Sequence, residues 1–268
     1  MRGVLRGGVA VGVVLGMSWA AWGQEHVTQR LENSPRHLEY QDVKRGDRTI
    51  RCFVAYPEVK EKATAVVVIH EIFGLADWVR GVTDQFAEAG YLAIAPDLLS
   101  GMGPNGGGTE AMGSGDAVRR AIVGLPPDQV TEDLKAVVEH VRKLPACNGK
   151  VVVAGFCWGG TQAFRFATNS DGIEAALVFY GTGPEDAAIG RIQAPVYGFY
   201  GENDARVNAT IAKTEELMKA AGKRYEPVIY AGAGHGFMRA GEGPQASPAN
   251  ARAREEAWKR IRSVVPRS

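Results

Sequence analysis

The 268-residue chain has little cysteine and little histidine, three and five residues respectively. No C-x-x-C occurs, and His26, His37, His70, His140 and His235 form no close ligand pair. The sequence therefore offers no evident metal site, and neither a metal nor another cofactor is expected. An excess of charge is also missing, since 31 Lys and Arg face 30 Asp and Glu for a formal net charge of +1. With no Lys/Arg block and no interleaving of aromatic and basic residues, nucleic acid is not an expected partner. Long apolar runs are scarce. The stretch "GGVAVGVVLGMSWAA" is shorter than the ~20 residues that span a bilayer. Arg2 and Arg6 precede it and "AWG" follows before Gln24, the pattern of a cleavable signal segment over residues 1–23. That predicts export to a periplasm-like or extracellular compartment, with no stable membrane anchor after cleavage.

Export favours disulfides, yet the cysteines are poorly suited to them. Cys147 and Cys157 fall at opposite ends of one predicted strand, far beyond the ~7 Å Cα separation that a bridge tolerates. Cys52 could meet Cys147 only if the fold brought their strands together, and an odd count leaves a free thiol under any pairing.

What is present is an alternation of strands and helices. A polar stretch, residues 24–38, reads as a loosely held arm. "HLEYQDV" and "RTIRCFVAYP", joined by "KRGD", alternate apolar and polar residues as an antiparallel hairpin does. "ATAVVVIH" and "YLAIAPD" are continuous apolar runs suited to strands buried on both faces. Between them, Val79, Val82 and Phe86 recur at helical spacing before Gly90. A second amphipathic helix places Val130, Leu134, Val137, Val138 and Val141 on one face. Strand and helix signals then alternate to the end of the chain. The expected fold class is α/β, an α/β-hydrolase arrangement over residues 39–268: a mostly parallel sheet, helices on both faces, and an antiparallel N-terminal hairpin. Residues 100–116 are dense in glycine and read either as a low-complexity linker or as a loop over a site at a strand end.

The chemistry centres on "VVVAGFCWGG", residues 151–160. Gly155-Phe156-Cys157-Trp158-Gly159 has the spacing of the nucleophile elbow G-x-S-x-G, with Cys in place of Ser. A buried Cys packing as a small hydrophobe is the plain alternative. Asp204 follows the strand "VYGFYGEN", and His235 follows "PVIYAGAG". Nucleophile, acid and histidine thus fall in α/β-hydrolase order, each at the carboxyl end of a strand, where open α/β sheets form their sites. In this reading Cys157 attacks as thiolate, His235 moves the proton and Asp204 orients the imidazole. Gly155 and Gly159 relieve crowding at the turn, and Gly160 lets helix and sheet approach. Glu202 competes with Asp204 for the acid role, and Asp204 alternatively serves as a helix N-cap. The Trp158 N–H, following the nucleophile, is one oxyanion donor, and the loop after "VVVIH" supplies the other.

Together "GFCWGG", "HEIFGL", "APDLL", "GENDARV" and "GHGFMR" resemble the dienelactone hydrolase (carboxymethylenebutenolidase) family, from about residue 40 onward. The resemblance implies Cys157, Asp204 and His235 as a catalytic triad and the Ile72 and Trp158 amides as oxyanion donors. It also implies Glu71 as a carboxylate that regulates the resting thiol, and Arg239 as the arginine that receives a substrate carboxylate. The family has a second such arginine after "APDLL"; here Arg119 and Arg120 are the candidates, and neither aligns securely. His70 either touches the site or caps its strand.

The expected function is hydrolysis of a lactone or ester bond in a small, carboxylate-bearing substrate, by a monomer that needs no cofactor. Three alternatives are a generic periplasmic carboxylesterase, a thiol redox or peroxide-sensing protein using Cys157, and a non-catalytic binding module on a hydrolase scaffold.

Overall fold

The structure is a computed structural model that describes residues 19–267. Most of the expected signal segment, residues 1–18, lies outside the described residues. Eight strands form one sheet: β1 (Leu38–Arg45), β2 (Arg48–Ala55), β3 (Ala63–Ile69), β4 (Leu92–Pro96), β5 (Cys147–Phe156), β6 (Ala175–Phe179), β7 (Val196–Asn203) and β8 (Tyr225–Gly234). Their spatial order is β1-β2-β4-β3-β5-β6-β7-β8. The first two pairings, β1 with β2 and β2 with β4, are antiparallel, and all later ones are parallel. The apolar runs are buried on both faces because helices cover both. Along β3, Val67 and Ile69 join one core while Val66 and Val68 join the other.

One face carries α4 (Pro127–Arg142), α5 (Trp158–Ala167) and α7 (Ile211–Ala220), with α3 (Gly115–Val123) packed at its rim. The valine and leucine stripe of α4 faces this core, as its spacing predicts. The opposite face carries α2 (Asp77–Glu88) through Val79, Val82 and Phe86, and α9 (Pro248–Val264) through Ala257, Trp258 and Ile261. Two short helices, α6 (Ala205–Asn208) and α8 (Phe237–Ala240), follow β7 and β8. All three cysteines are free.

The expected loose arm is the main departure. Residues 24–32 belong to α1 (Trp19–Glu32), which docks along α2. Val27 is buried against Gly81, where a Cβ would come within 2.7 Å of it. The Asp84 carboxylate gathers Arg30 at 2.9 Å, Arg36 at 2.7 Å and the Ser34 hydroxyl at 2.7 Å. Polar composition suggested solvent exposure, whereas the polar groups are used to meet one buried carboxylate on α2.

Candidate active site

The site lies at the carboxyl ends of β3, β5, β7 and β8. At the end of β5 the chain turns sharply into α5, and Cys157 at that turn has φ 56° and ψ −115°. A non-glycine residue at positive φ is strained, and it persists here because the surroundings fix it. Its N–H donates to Phe179 O at 3.0 Å and its carbonyl accepts from Thr161 N at 3.2 Å. The elbow glycines face backbone: a Cβ on Gly155 would lie 1.9 Å from Gly159 O, and one on Gly159 2.4 Å from His70 O. Gly160 similarly meets Phe179 O at 2.5 Å, which admits α5 close to the sheet.

Asp204 ends β7 and is buried. Its two oxygens make two separate contacts. Oδ1 caps α6, accepting from Val207 N at 3.4 Å, while Oδ2 accepts from His235 Nδ1 at 2.5 Å. Glu202 is not the partner of the histidine; its carboxylate is exposed and takes the Gly232 N–H at 2.7 Å. His235, just past β8, is raised to about 9, first by its hydrogen bond with Cys157 and further by Asp204, against the opposing effect of burial. His235 thus bonds Asp204 on one side and is acted on by the Cys157 thiol on the other.

Glu71 follows β3 by two residues and is 3% exposed. Burial raises its pKa, while Arg239 and His235 pull it back. Arg239 Nε lies 3.2 Å from Glu71 Oε2, and the guanidinium also covers the Phe73 ring at 5.1 Å. Arg239, on α8, is half exposed. The loop that carries it is tied down: Glu242 accepts from Trp78 Nε1 at 3.1 Å and Gln85 Nε2 at 2.6 Å, and Arg254 Nε donates to Met238 O at 3.1 Å.

The loop after β3 folds into two tight turns, Gly74 N to Glu71 O at 3.3 Å and Ala76 N to Gly74 O at 2.8 Å. Within it the Ile72 N–H donates to no protein atom among the described residues. Trp158 opens α5, so its N–H has no intrahelical acceptor. Neither amide implied as an oxyanion donor is thus taken up by a protein acceptor among the described residues.

Arg119 and Arg120 are not brought to these residues. Arg119 pairs with Asp116 on its own helix at 3.6 Å, and Arg120 is exposed. The glycine-rich stretch is no linker. It folds back so that Thr109 bridges two site elements: Oγ1 donates to Asp97 Oδ1 at 2.7 Å and accepts from Leu75 N at 3.1 Å. Thr109 N adds a bond to Asp97 Oδ2 at 2.7 Å.

Sequence reasoning missed Tyr180, which directly follows β6 with φ 42° and is fully buried. Its ring centroid lies 5.0 Å from that of His235, and its hydroxyl has no hydrogen-bond partner among the described residues. Burial, then Glu71 and Cys157, push the phenol well above its usual range. The signal was available, because "FYG" ends a buried strand on the same sheet edge as the other site residues.

A mostly parallel sheet with these side chains at its strand ends and Cys157 on a strained strand–helix turn defines an α/β-hydrolase. The sequence model of the dienelactone hydrolase family matches residues 50–267. A Methylorubrum extorquens protein provisionally named carboxymethylenebutenolidase is 30% identical over 230 residues, covering 80% of this chain and 76% of the relative. An Escherichia coli K12 protein with the same provisional name is 32% identical over 213 residues, 73% of this chain and 74% of the relative. Among solved structures, a provisionally named dienelactone hydrolase from Klebsiella pneumoniae superposes with a TM-score of 0.74 at 23% identity, covering 85% of this chain and 98% of the other. The chain belongs to the dienelactone hydrolase family and is a carboxylic ester hydrolase.

Proposed function

We propose that the protein hydrolyses a lactone or ester of a small carboxylate-bearing substrate, with Cys157, His235 and Asp204 as its catalytic triad. The observation that carries this reading is the His235–Asp204 hydrogen bond at 2.5 Å, with the strained Cys157 on the elbow as the thiol that acts on the same imidazole. The thiolate attacks the carbonyl, and the developing oxyanion accepts from the Ile72 and Trp158 N–H groups. His235 then protonates the leaving oxygen, and water, deprotonated by the same imidazole, releases the acid and restores the thiol. The ion pair between Glu71 and Arg239 supports the choice of an acidic substrate. A substrate carboxylate matches the arginine fork and competes with Glu71 for it, leaving a buried carboxylate beside His235 free to act on the thiol. Export remains part of the proposal on the strength of Arg2, Arg6 and the apolar stretch after them.

The test uses a carboxylated enol-lactone, the same lactone as its methyl ester, and the Cys157→Ala variant. We expect turnover of the acid to exceed that of the methyl ester, and Cys157→Ala to lose at least about a thousandfold in kcat. Turnover that survives the substitution would sink the nucleophile assignment. Equal turnover of acid and methyl ester would leave a general carboxylesterase.

A further inference from the structure

His70, the last residue before Glu71, is fully buried between the loop after β3 and the start of α5. Its Nδ1 lies 2.8 Å from Glu71 O. A carbonyl oxygen only accepts, so Nδ1 carries the hydrogen. The other ring nitrogen, Nε2, is buried with no hydrogen-bond partner among the described residues. Burial disfavours a charged ring, which keeps this histidine neutral.

The acceptor identifies what the contact does. Glu71 C=O and Ile72 N–H belong to one peptide unit, and the chain has no cis peptides among the described residues. In a trans unit the two groups point in opposite directions. Holding the Glu71 oxygen from one side therefore aims the Ile72 N–H to the other. The Gly74 N–H grips the same oxygen at 3.3 Å, so the plane is held by two donors. A hydrogen bond accepted by the carbonyl also polarises the amide and makes its N–H a stronger donor.

The same ring touches the second amide-bearing residue. His70 and Trp158 stack with centroids 5.5 Å apart and planes 12° from parallel. Backbone contact reinforces the arrangement, since Gly159 sits so close to His70 O that no Cβ fits between them. One side chain thus contacts both the Glu71–Ile72 peptide and Trp158, and Ile72 and Trp158 are the two residues implied as oxyanion donors.

We propose that His70 is a positioning residue for the oxyanion hole: its Nδ1–H orients the Glu71–Ile72 peptide and its ring braces Trp158. The proposal rests on the reading of Cys157 as nucleophile given above. It assigns His70 no proton transfer and no contact with substrate.

The experiment compares wild type, His70→Leu, His70→Asn and Cys157→Ala on an aryl ester and on its thiono analogue, in which sulfur replaces the carbonyl oxygen. Alkylation of Cys157 by iodoacetamide, which needs no oxyanion hole, reports the nucleophile separately. His70→Leu should lower kcat on the oxygen ester about 10- to 100-fold with little change in KM. Its preference for the oxygen over the thiono ester should shrink, while alkylation stays near the wild-type rate. His70→Asn keeps an amide donor near the Nδ1 position and should recover most of kcat and most of the oxygen preference. A His70→Leu enzyme with unchanged kcat and preference would overturn the proposal. So would parallel loss of turnover and alkylation with the preference intact, or a His70→Asn enzyme as impaired as His70→Leu. Should His70→Leu not fold, His70→Asn decides alone: a retained oxygen preference supports the role, and a collapsed one removes it. Turnover by Cys157→Ala would instead defeat the nucleophile reading, whatever the His70 variants do.

Discussion

Two stretches of this chain are rich in glycine, and they use it differently. In the elbow, Gly155, Gly159 and Gly160 each press against backbone oxygens of a neighbouring element. In residues 100–116, Gly106, Gly113 and Gly115 face open space, Gly107 and Gly108 lie nearest the Ala111 and Asp97 side chains, and Gly103 meets backbone oxygens of its own loop and the Ala111 methyl. The elbow's neighbours belong to α5 and the sheet strands and cannot give way without moving them, whereas the loop's neighbours can shift with the loop. A glycine-dense sequence is therefore a rigid fitting in one place and a partly open loop in the other. Only the enclosing atoms distinguish them.

The largest break in this comparison should come from Gly159→Ala. Its new Cβ would stand 2.4 Å from both Ile69 O and His70 O. Stability should fall by about 3 kcal/mol in urea unfolding, and kcat by about 100-fold, since a displacement near 1 Å at a reacting centre costs that much. Retention of full activity would show that the elbow does not require the close approach.

Thr109→Val probes the glycine-rich side. It removes the hydroxyl that joins Asp97 to the Leu75 amide and leaves both short of a partner. A loss of about 1–3 kcal/mol is expected, with Thr109→Ser restoring most of it. An unchanged midpoint would mean that the segment contributes nothing to the loop after β3.

Dependence on pH should sharpen the contrast further, because the perturbed imidazole belongs to the elbow side. His235 is raised from an ordinary 6.5 to about 9. A raised histidine stabilises the fold fully below its unfolded value and loses that contribution as pH climbs through the folded one. The melting-temperature gap between wild type and His235→Asn should thus be widest below about pH 6.5 and close above about pH 9. The gap between wild type and Thr109→Val should stay flat over the same range. Smallest of all is Gly115→Ala, where a Cβ meets nothing within 4 Å. It should shift stability by no more than about 0.5 kcal/mol, and a larger shift would place that glycine among the enclosed ones.

The legible and illegible parts of the molecule divide along similar lines. The ends of β5 and β7 could be read because a buried parallel strand is largely an apolar run, and Cys157 and Asp204 follow them directly; His235 follows the half-buried edge strand β8. Glu71, Ile72 and Arg239 came only through family resemblance, since a loop carboxylate or arginine looks the same whether it faces solvent or a site. Nothing local announced that Thr109 would reach Asp97 and Leu75, or that Arg30, Ser34 and Arg36 would converge on Asp84. Those contacts join polar residues far apart in sequence, and periodicity carries no information about them. His70 was undecided between capping its strand and touching the site. Its hydrogen bond lies on the next residue's carbonyl, so its effect on the site passes through the backbone.

The tethering of the loop after β8 bears on how fast the site can respond. Met238 O is held by Arg254 and the Glu242 carboxylate by Trp78 and Gln85, so Arg239 stands between two fixed points. If Arg239 receives a substrate carboxylate as proposed, exchanging Glu71 for it would need rotation of the half-exposed arginine side chain and no excursion of the main chain. On the proposed function, capture at this arginine would be limited by arrival of the anion, with no main-chain isomerisation between encounter and engagement.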